Sequence, residues 1–380
     1  MKVPLSQPDI TEAEIEAVVS VLRSSRLSIG PKQEEFEQQM AVYIGVPHAI
    51  AVSSGTAGLH LCIRALGISK GDEVIVPSFT FIAAANAIRY EGAVPVFIDI
   101  EPETLNLDPS RLEEAITPKT RAILVVHTFG CPADMDAILD IGRRHHLLVI
   151  EDACEAIGAE YKGRKVGSFG DAAVFAFYPN KQITTGEGGI VVTPHEQVAR
   201  SIRALRNQGR YESDDWFQHD TLGYNYRLSE ISCALGCVQL QRIESILARR
   251  EAVAHKYDEI LRSRKELTVP PIALHHKRIS WFVYVIRLAA NFGQLQRDAV
   301  VQFLAAKGIS CGRYFAPIHK QPAYRHYKVR HPLPATESIS QRTIALPFFN
   351  GLADPDIEQV CTSLMRSVES ICLEREQAKI

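Results

Sequence analysis

The sequence predicts an α/β fold built on a mostly parallel, seven-stranded sheet flanked by helices, with a smaller C-terminal α+β domain. Three observations carry this prediction. Between residues 49 and 193, seven short apolar runs alternate with polar or glycine turns and helical stretches. The runs are continuous rather than alternating and mostly rich in β-branched residues, which is how strands buried on both faces read. After Leu228 the texture changes to longer helices and a few separated strands.

The apolar runs lie at 49–52, 73–77, 94–98, 122–127, 147–151, 172–177 and 189–193, with helical patterns such as 58–66 and 134–144 between them. Strands alternating with helices argue for a parallel sheet. Residues 229–260 read as one long helix, with Leu235, Val238, Leu240, Ile243 and Ile246 loosely periodic. Beyond it the pattern predicts a strand at 281–287 and helices at 293–307 and 354–368. The domain boundary falls inside the long helix, which gives a large domain over 1–245, with packing of its N-terminal segment on the small domain as an alternative, and a small one over 246–380. A chain of 380 residues is long enough to bury both cores.

Composition excludes several classes. The formal net charge is −2 with no long run of one sign, so no polybasic face for nucleic acid or anionic lipid is expected. No stretch of about 18 apolar residues exists to span a membrane. The segment after Met1 lacks the apolar core of a secretion signal. The eight cysteines form no Cys-x-x-Cys pair and read as free thiols in a reducing cytoplasm, with no metal expected.

Four elements carry chemistry. The first is Phe175-Ala-Phe-Tyr-Pro-Asn-Lys181, followed by two threonines and a glycine-rich stretch to Gly189. A lysine just past a strand sits at the ligand edge of a parallel sheet, although a solvated loop lysine is the plain alternative. The second is Leu147-Leu-Val-Ile-Glu151-Asp152, a strand running into two carboxylates. A buried acid needs a partner, and a cationic heterocycle supplies one; helix capping is the competing reading of Asp152. The third is the turn Ser54-Gly55-Thr56-Ala57 between a strand and a helix start, where free amides form an anion site. It is neither a Walker loop nor Gly-x-Gly-x-x-Gly, which disfavours a nucleoside triphosphate or a dinucleotide. The fourth is Phe79-Thr-Phe81, where either ring covers a flat cofactor or simply belongs to the core. An anion cradle, an aromatic cover, an acid for a ring nitrogen and a lysine for an aldehyde together describe a pyridoxal 5'-phosphate (PLP) site.

These motifs resemble the DegT/DnrJ/EryC1/StrS family of PLP-dependent sugar aminotransferases, of the aspartate aminotransferase fold type I. The resemblance runs from Pro4-Leu-Ser-Gln-Pro through Ser53-Ser-Gly-Thr-Ala57, Glu151-Asp-Ala-Cys-Glu155, Tyr178-Pro-Asn-Lys181 and Gly223-Tyr-Asn-Tyr-Arg-Leu-Ser-Glu230 to Tyr314-Phe-Ala-Pro-Ile-His-Lys-Gln-Pro322. It implies that Lys181 is the Schiff-base lysine and Asp152 the partner of the pyridinium nitrogen. Phe81 would cover the ring, Glu155 lie near it, and Gly55, Thr56 and Ala57 cradle the phosphate. Asn225 would reach the phosphate of the other subunit in a homodimer with shared sites. Arg313, Tyr314 and His319 are placed near the substrate, with surface-loop residues as the alternative. Some members have a serine five residues before the lysine, where this chain has Ala176. The implied reaction is ping-pong, from glutamate to a nucleotide-linked keto-sugar in deoxyamino-sugar biosynthesis. A non-sugar ketone as acceptor and a non-catalytic PLP-fold protein stay open; a dehydratase relative, which carries histidine in place of the lysine, is opposed by Lys181.

Overall fold

The structure, a computed structural model, describes residues 2–211, 218–327 and 329–377. An N-terminal arm carries α1 (Glu12–Leu22) and α2 (Pro31–Ile44). The large sheet builds up through β1 (His48–Val52), α3 (Gly55–Ala65), β2 (Glu73–Pro77), α4 (Ala83–Tyr90), β3 (Val94–Ile98), the single turn α5 (Leu112–Ala115), β4 (Thr120–Val126), α6 (Met135–Arg144) and β5 (Leu148–Asp152). A small hairpin, β6 (Glu160–Tyr161) and β7 (Arg164–Lys165), leads to β8 (Ala172–Ala176), β9 (Gly189–Thr193) and α7 (Glu196–Arg206). The chain continues through α8 (Glu230–Gln241), α9 (Ile243–Leu261), β10 (Leu267–Thr268), β11 (Lys277–Arg278), β12 (Tyr284–Leu288), α10 (Gln294–Ala306), α11 (Pro334–Ser340), β13 (Thr343–Leu346) and α12 (Asp354–Gln377).

The seven predicted runs form one sheet in the order β1-β9-β8-β5-β4-β2-β3. Only β9 runs against the other strands. The runs are continuous because both faces are buried. Ile50, Val76, Leu124, Ile150 and Val174 pack under α3, α4 and α7. The alternate residues pack on the opposite face: Ile75, Ile123, Val125 and Val149 with α6, and Ala51, Phe175 and Ile190 with α2 and α8.

A second sheet, β10-β12-β13, is antiparallel and shares a core with α9, α10 and α12 around Tyr257, Tyr284, Ile286, Leu304 and Leu364. The N-terminal residues join this unit, since the Val3 N–H donates to the Gly308 carbonyl and Phe348 N–H to the Leu5 carbonyl. Among the described residues no helix is long and apolar enough to cross a membrane, and no His, Cys, Asp or Glu cluster is arranged to hold a metal.

Two elements differ from expectation. The helix predicted over 229–260 is two helices, broken at Arg242 with ψ near 0°. The break lets α8 bury Cys233, Cys237 and Leu240 against the large sheet while α9 turns Val253, Tyr257 and Leu261 into the second core. The Arg242 guanidinium is fixed at the corner by Asp9 and Glu14. The strand predicted over 281–287 pairs only from Tyr284. The carbonyls of Trp281 and Phe282 instead accept from the buried guanidinium of Arg250, each at 2.7 Å.

Candidate active site

Because β1, β2, β4, β5 and β8 are parallel, their C-terminal ends share one edge of the sheet. A cavity of about 450 Å³ opens there. It is lined by Ser54, Gly55 and Thr56 after β1, Thr80 and Phe81 after β2, Asp152 at the end of β5 with Cys154 and Glu155 beyond it, and Ala176 at the end of β8 with Tyr178, Asn180 and Lys181 beyond it. Ligands of open α/β sheets gather at this edge.

The lysine loop is held by its threonines. Thr184 Oγ1 donates to the Phe177 carbonyl at 2.9 Å and Thr185 Oγ1 to the Glu187 carbonyl at 2.8 Å. The loop presents Lys181 Nζ 3.6 Å from Glu155 Oε1 and 4.0 Å from the centre of the Phe282 ring. The next residue, Gln182, is buried. Its amide nitrogen donates to the Glu155 carbonyl at 2.6 Å and to Ser280 Oγ at 3.0 Å, tying together the segments that carry Glu155 and Phe282.

The two carboxylates at the end of β5 separate by strand alternation. Glu151 points away from the cavity and is wholly buried. It takes hydrogen bonds from the Gly167, Phe169 and Gly170 N–H groups and lies 3.0 Å from His127 Nε2. Burial opposes its charge, yet His127 and the N–H donors outweigh burial and hold its pKa below the ordinary value. Asp152 faces the cavity and accepts the Cys154 N–H at 3.1 Å. Burial pushes its pKa up, and neither that bond nor Lys181 fully offsets the effect. Glu155 accepts the Phe129 N–H at 2.9 Å, and burial raises its pKa against the pull of Lys181.

At the start of α3, Ser54 Oγ caps the helix by accepting the Ala57 N–H at 3.1 Å. Gly55 and Thr56 line the cavity, whereas Ala57 lies outside the lining and its N–H is committed to Ser54. A Cβ on Gly55 would sit 2.7 Å from Ala176 Cβ and 2.9 Å from Cys154 Sγ, so only glycine permits this packing. Phe81 lines the mouth and is 61% exposed.

Other expected residues scatter. Tyr314 lines the cavity and stacks on Phe315 and Phe282. Arg313 does not line it; its Nε lies 3.2 Å from Asp298. His319 is buried behind the wall, where Nδ1 lies 2.7 Å from Ser78 Oγ and pins the 318–320 turn to the end of β2. Asn225 is exposed and lies outside its own chain's cavity. Asn180, Gln182 and Phe282 escaped the sequence reading. Asn180 lines the cavity, and its Oδ1 is buried with no hydrogen-bond partner among the described residues. Its position beside Lys181 was the only available signal.

An amine facing a buried acid in an apolar cleft, with helix amides at one end, suits a flat anionic aldehyde. The comparisons decide the family. Residues 8–365 match the DegT/DnrJ/EryC1/StrS aminotransferase family. The chain belongs to this family. It is therefore an aminotransferase whose cofactor is PLP. It is 42% identical over 370 residues to a protein of Caulobacter vibrioides named GDP-perosamine synthase, covering 96% of this chain and 97% of that one. The fold matches the PMP form of Spr1654 from Streptococcus pneumoniae, named a putative sugar aminotransferase, at a TM-score of 0.94 and 29% identity, over 99% of this chain and 100% of that one. Helicobacter pylori PseC, an aminotransferase involved in the biosynthesis of pseudoaminic acid, matches at a TM-score of 0.93 and 29% identity, over 97% and 100%.

Proposed function

We propose that this chain moves an amino group from glutamate onto a nucleotide-linked keto-sugar in the two half-reactions of a ping-pong cycle. The observation that carries this reading is the pairing of Lys181 and Asp152 in one cavity, in a chain similar to GDP-perosamine synthase along nearly its whole length. The residues fit PLP. Asp152 is a buried acid that a protonated ring nitrogen would stabilise, and Asn180 has an unpartnered oxygen in the same cavity. The amides of Gly55 and Thr56 at the start of α3 suit a phosphate.

Bound PLP supplies an aldehyde that condenses with amines and a ring that accepts the electron pair left when a proton departs. Lys181 would hold that aldehyde. Once replaced by the donor amine, its Nζ is the group to take and return the proton at the substrate carbon bearing nitrogen. Glu155 would steady the lysine, and Asp152 would hold the ring nitrogen protonated. Phe81 and Phe282 would exclude water. Tyr314 is the candidate substrate contact in the cavity, whereas the positions of Arg313 and His319 support ion pairing and turn fixation instead.

The active unit in this reading is a homodimer in which Asn225 completes the phosphate site of the partner. Support comes from Asn225 standing exposed outside its own cavity, and from Phe81 and Tyr178 standing 61% and 52% exposed at the mouth. The eight cysteines are unpaired, which suits a reducing cytoplasm.

The test is reoxidation of the pyridoxamine form. A keto-sugar on a nucleoside diphosphate should restore the PLP spectrum much faster than pyruvate or oxaloacetate, and glutamate should bleach it again. If simple 2-oxo acids alone complete the cycle, the acceptor is not a sugar.

A further inference from the structure

A polar cluster lies along the C-terminal half of α3, away from the Gly55 and Thr56 end that faces the cavity. His60 and Arg64 stand one turn apart on α3, and both meet Glu91 at the end of α4. His60 Nε2 lies 2.8 Å from Glu91 Oε1, and Arg64 donates to Oε2 at 2.8 Å. Tyr224 donates its hydroxyl to Glu91 Oε1 at 3.1 Å. The Tyr226 hydroxyl lies 3.2 Å from His60 Nδ1. Glu91 accepts, so Nε2 carries a proton, and Nδ1 shares a hydrogen bond with the Tyr226 hydroxyl. The Glu91 side chain, 7% exposed, thus takes His60, Arg64 and Tyr224 together at the cost of burying an acid, while the Arg64 side chain stays 38% exposed. A short apolar contact would fill the space without that cost.

The two tyrosines belong to one extended segment. Their rings stack at 5.0 Å with 11° between the planes, on the same side of the backbone. The segment is anchored at the main chain as well. Tyr224 N–H donates to the Leu205 carbonyl, Tyr226 N–H to the Arg206 carbonyl, and Ser53 N–H to the Tyr226 carbonyl. Alternation along an extended chain sends the side chain between two inward residues outward. That residue is Asn225, which is exposed and lies opposite Asn207 in a backbone bridge.

We infer that His60 and Glu91 are positioning residues that grip Tyr224 and Tyr226 and so aim Asn225 at the phosphate bound by a second copy of the chain. The inference rests on the proposed role of Asn225 across the dimer. Its consequence is specific: a defect in this cluster appears in the neighbour's site, although two of its residues stand on its own chain's cradle helix.

The experiment measures PLP affinity in dimers of defined composition, made by co-expressing two differently tagged chains. Occupancy is read as cofactor fixed on Lys181 by borohydride, so a chain carrying Lys181→Ala is silent. Glu91→Gln and Tyr224→Phe homodimers should bind PLP about tenfold more weakly, with little change for pyridoxal, which lacks the phosphate. Pairing a Glu91→Gln chain with a Lys181→Ala chain should return the single readable site to wild-type affinity, because its Asn225 comes from an intact cluster. Placing both substitutions on one chain, opposite a wild-type partner, should leave the readable site weak. Persistent weakness in the first pairing would overturn the inference and show that the cluster acts through its own α3. So would unchanged PLP affinity in both homodimers while Asn225→Ala weakens it. Asn225→Ala in the same two pairings separates the underlying reading: if its defect stays with its own chain or is absent, the dimer role of Asn225 fails first. Tyr224→Phe removes one hydroxyl and keeps the result readable if Glu91→Gln does not fold.

Discussion

The amine of Lys181 stands 3.6 Å from the carboxylate of Glu155, whose own pKa is raised by burial. A carboxylate at this distance orients the amine beside it. Glu155→Gln keeps the hydrogen bond from Phe129 N–H within reach but removes the acidic partner of Lys181. Turnover should fall about tenfold with PLP content unchanged, read by single-turnover rates and cofactor absorbance. Unchanged turnover would show that Glu155 acts only as a polar filler.

Asp152 sets function against stability. Its folded pKa is raised, so the folded chain binds a proton more tightly than the unfolded one. The cofactor-free protein therefore loses stability as pH rises from the ordinary value of 3.8 through the raised folded value. Asp152→Asn removes this titration. At neutral pH the cofactor-free variant should melt above the cofactor-free wild type, while turnover falls about 10²-fold or more for want of an anion at the ring nitrogen. Thermal melts from pH 4 to 8 and single-turnover rates check both halves. A near-wild-type rate would reduce Asp152 to a turn residue that accepts the Cys154 N–H.

Glu151 behaves in the opposite way. Its folded pKa is depressed, so its contribution is present above the unfolded carboxylate value and is lost as pH falls through the folded one. Glu151→Ala strands His127 and three buried N–H groups and should cost about 3 kcal/mol in denaturant melts at pH 7. The gap to wild type should narrow on acidification.

Ala176 lies against the cradle, as its contact with the Cβ position of Gly55 indicates. Ala176→Ser adds a hydroxyl beside the phosphate end of the cavity. PLP should dissociate about fivefold less readily at equilibrium, in keeping with one added hydrogen bond of about 1 kcal/mol. Weaker binding in equilibrium dialysis would mean that the space is already filled.

What the sequence revealed follows its physics. Strands such as β2, β3 and β9 were legible to the residue because burial on both faces leaves no polar position inside them. Glu151 and Asp152 were legible as two acids at a strand end, and the family motif singled out Asp152; the closed pocket that His127 and three N–H groups make for Glu151 left no local pattern. The start of β12 was hidden because Arg250, distant in sequence, takes the carbonyls of Trp281 and Phe282. Phe282 was missed for the same reason: its place over Lys181 depends on Arg250, Gln182 and Ser280, none of which leaves a local pattern. His319 carried a plausible residue type but spends its Nδ1 on Ser78. The break at Arg242 escaped because helical periodicity persists through it while the buried face changes core.

The account turns on Lys181 as the residue that holds the cofactor, and the most direct measurement is peptide mapping after borohydride reduction of the PLP-loaded enzyme. The account predicts a single modified peptide with the reduced cofactor on Lys181, and none in Lys181→Ala protein loaded to the same PLP content. Reduced cofactor on any other lysine, or an equal yield from the Lys181→Ala protein, would contradict it.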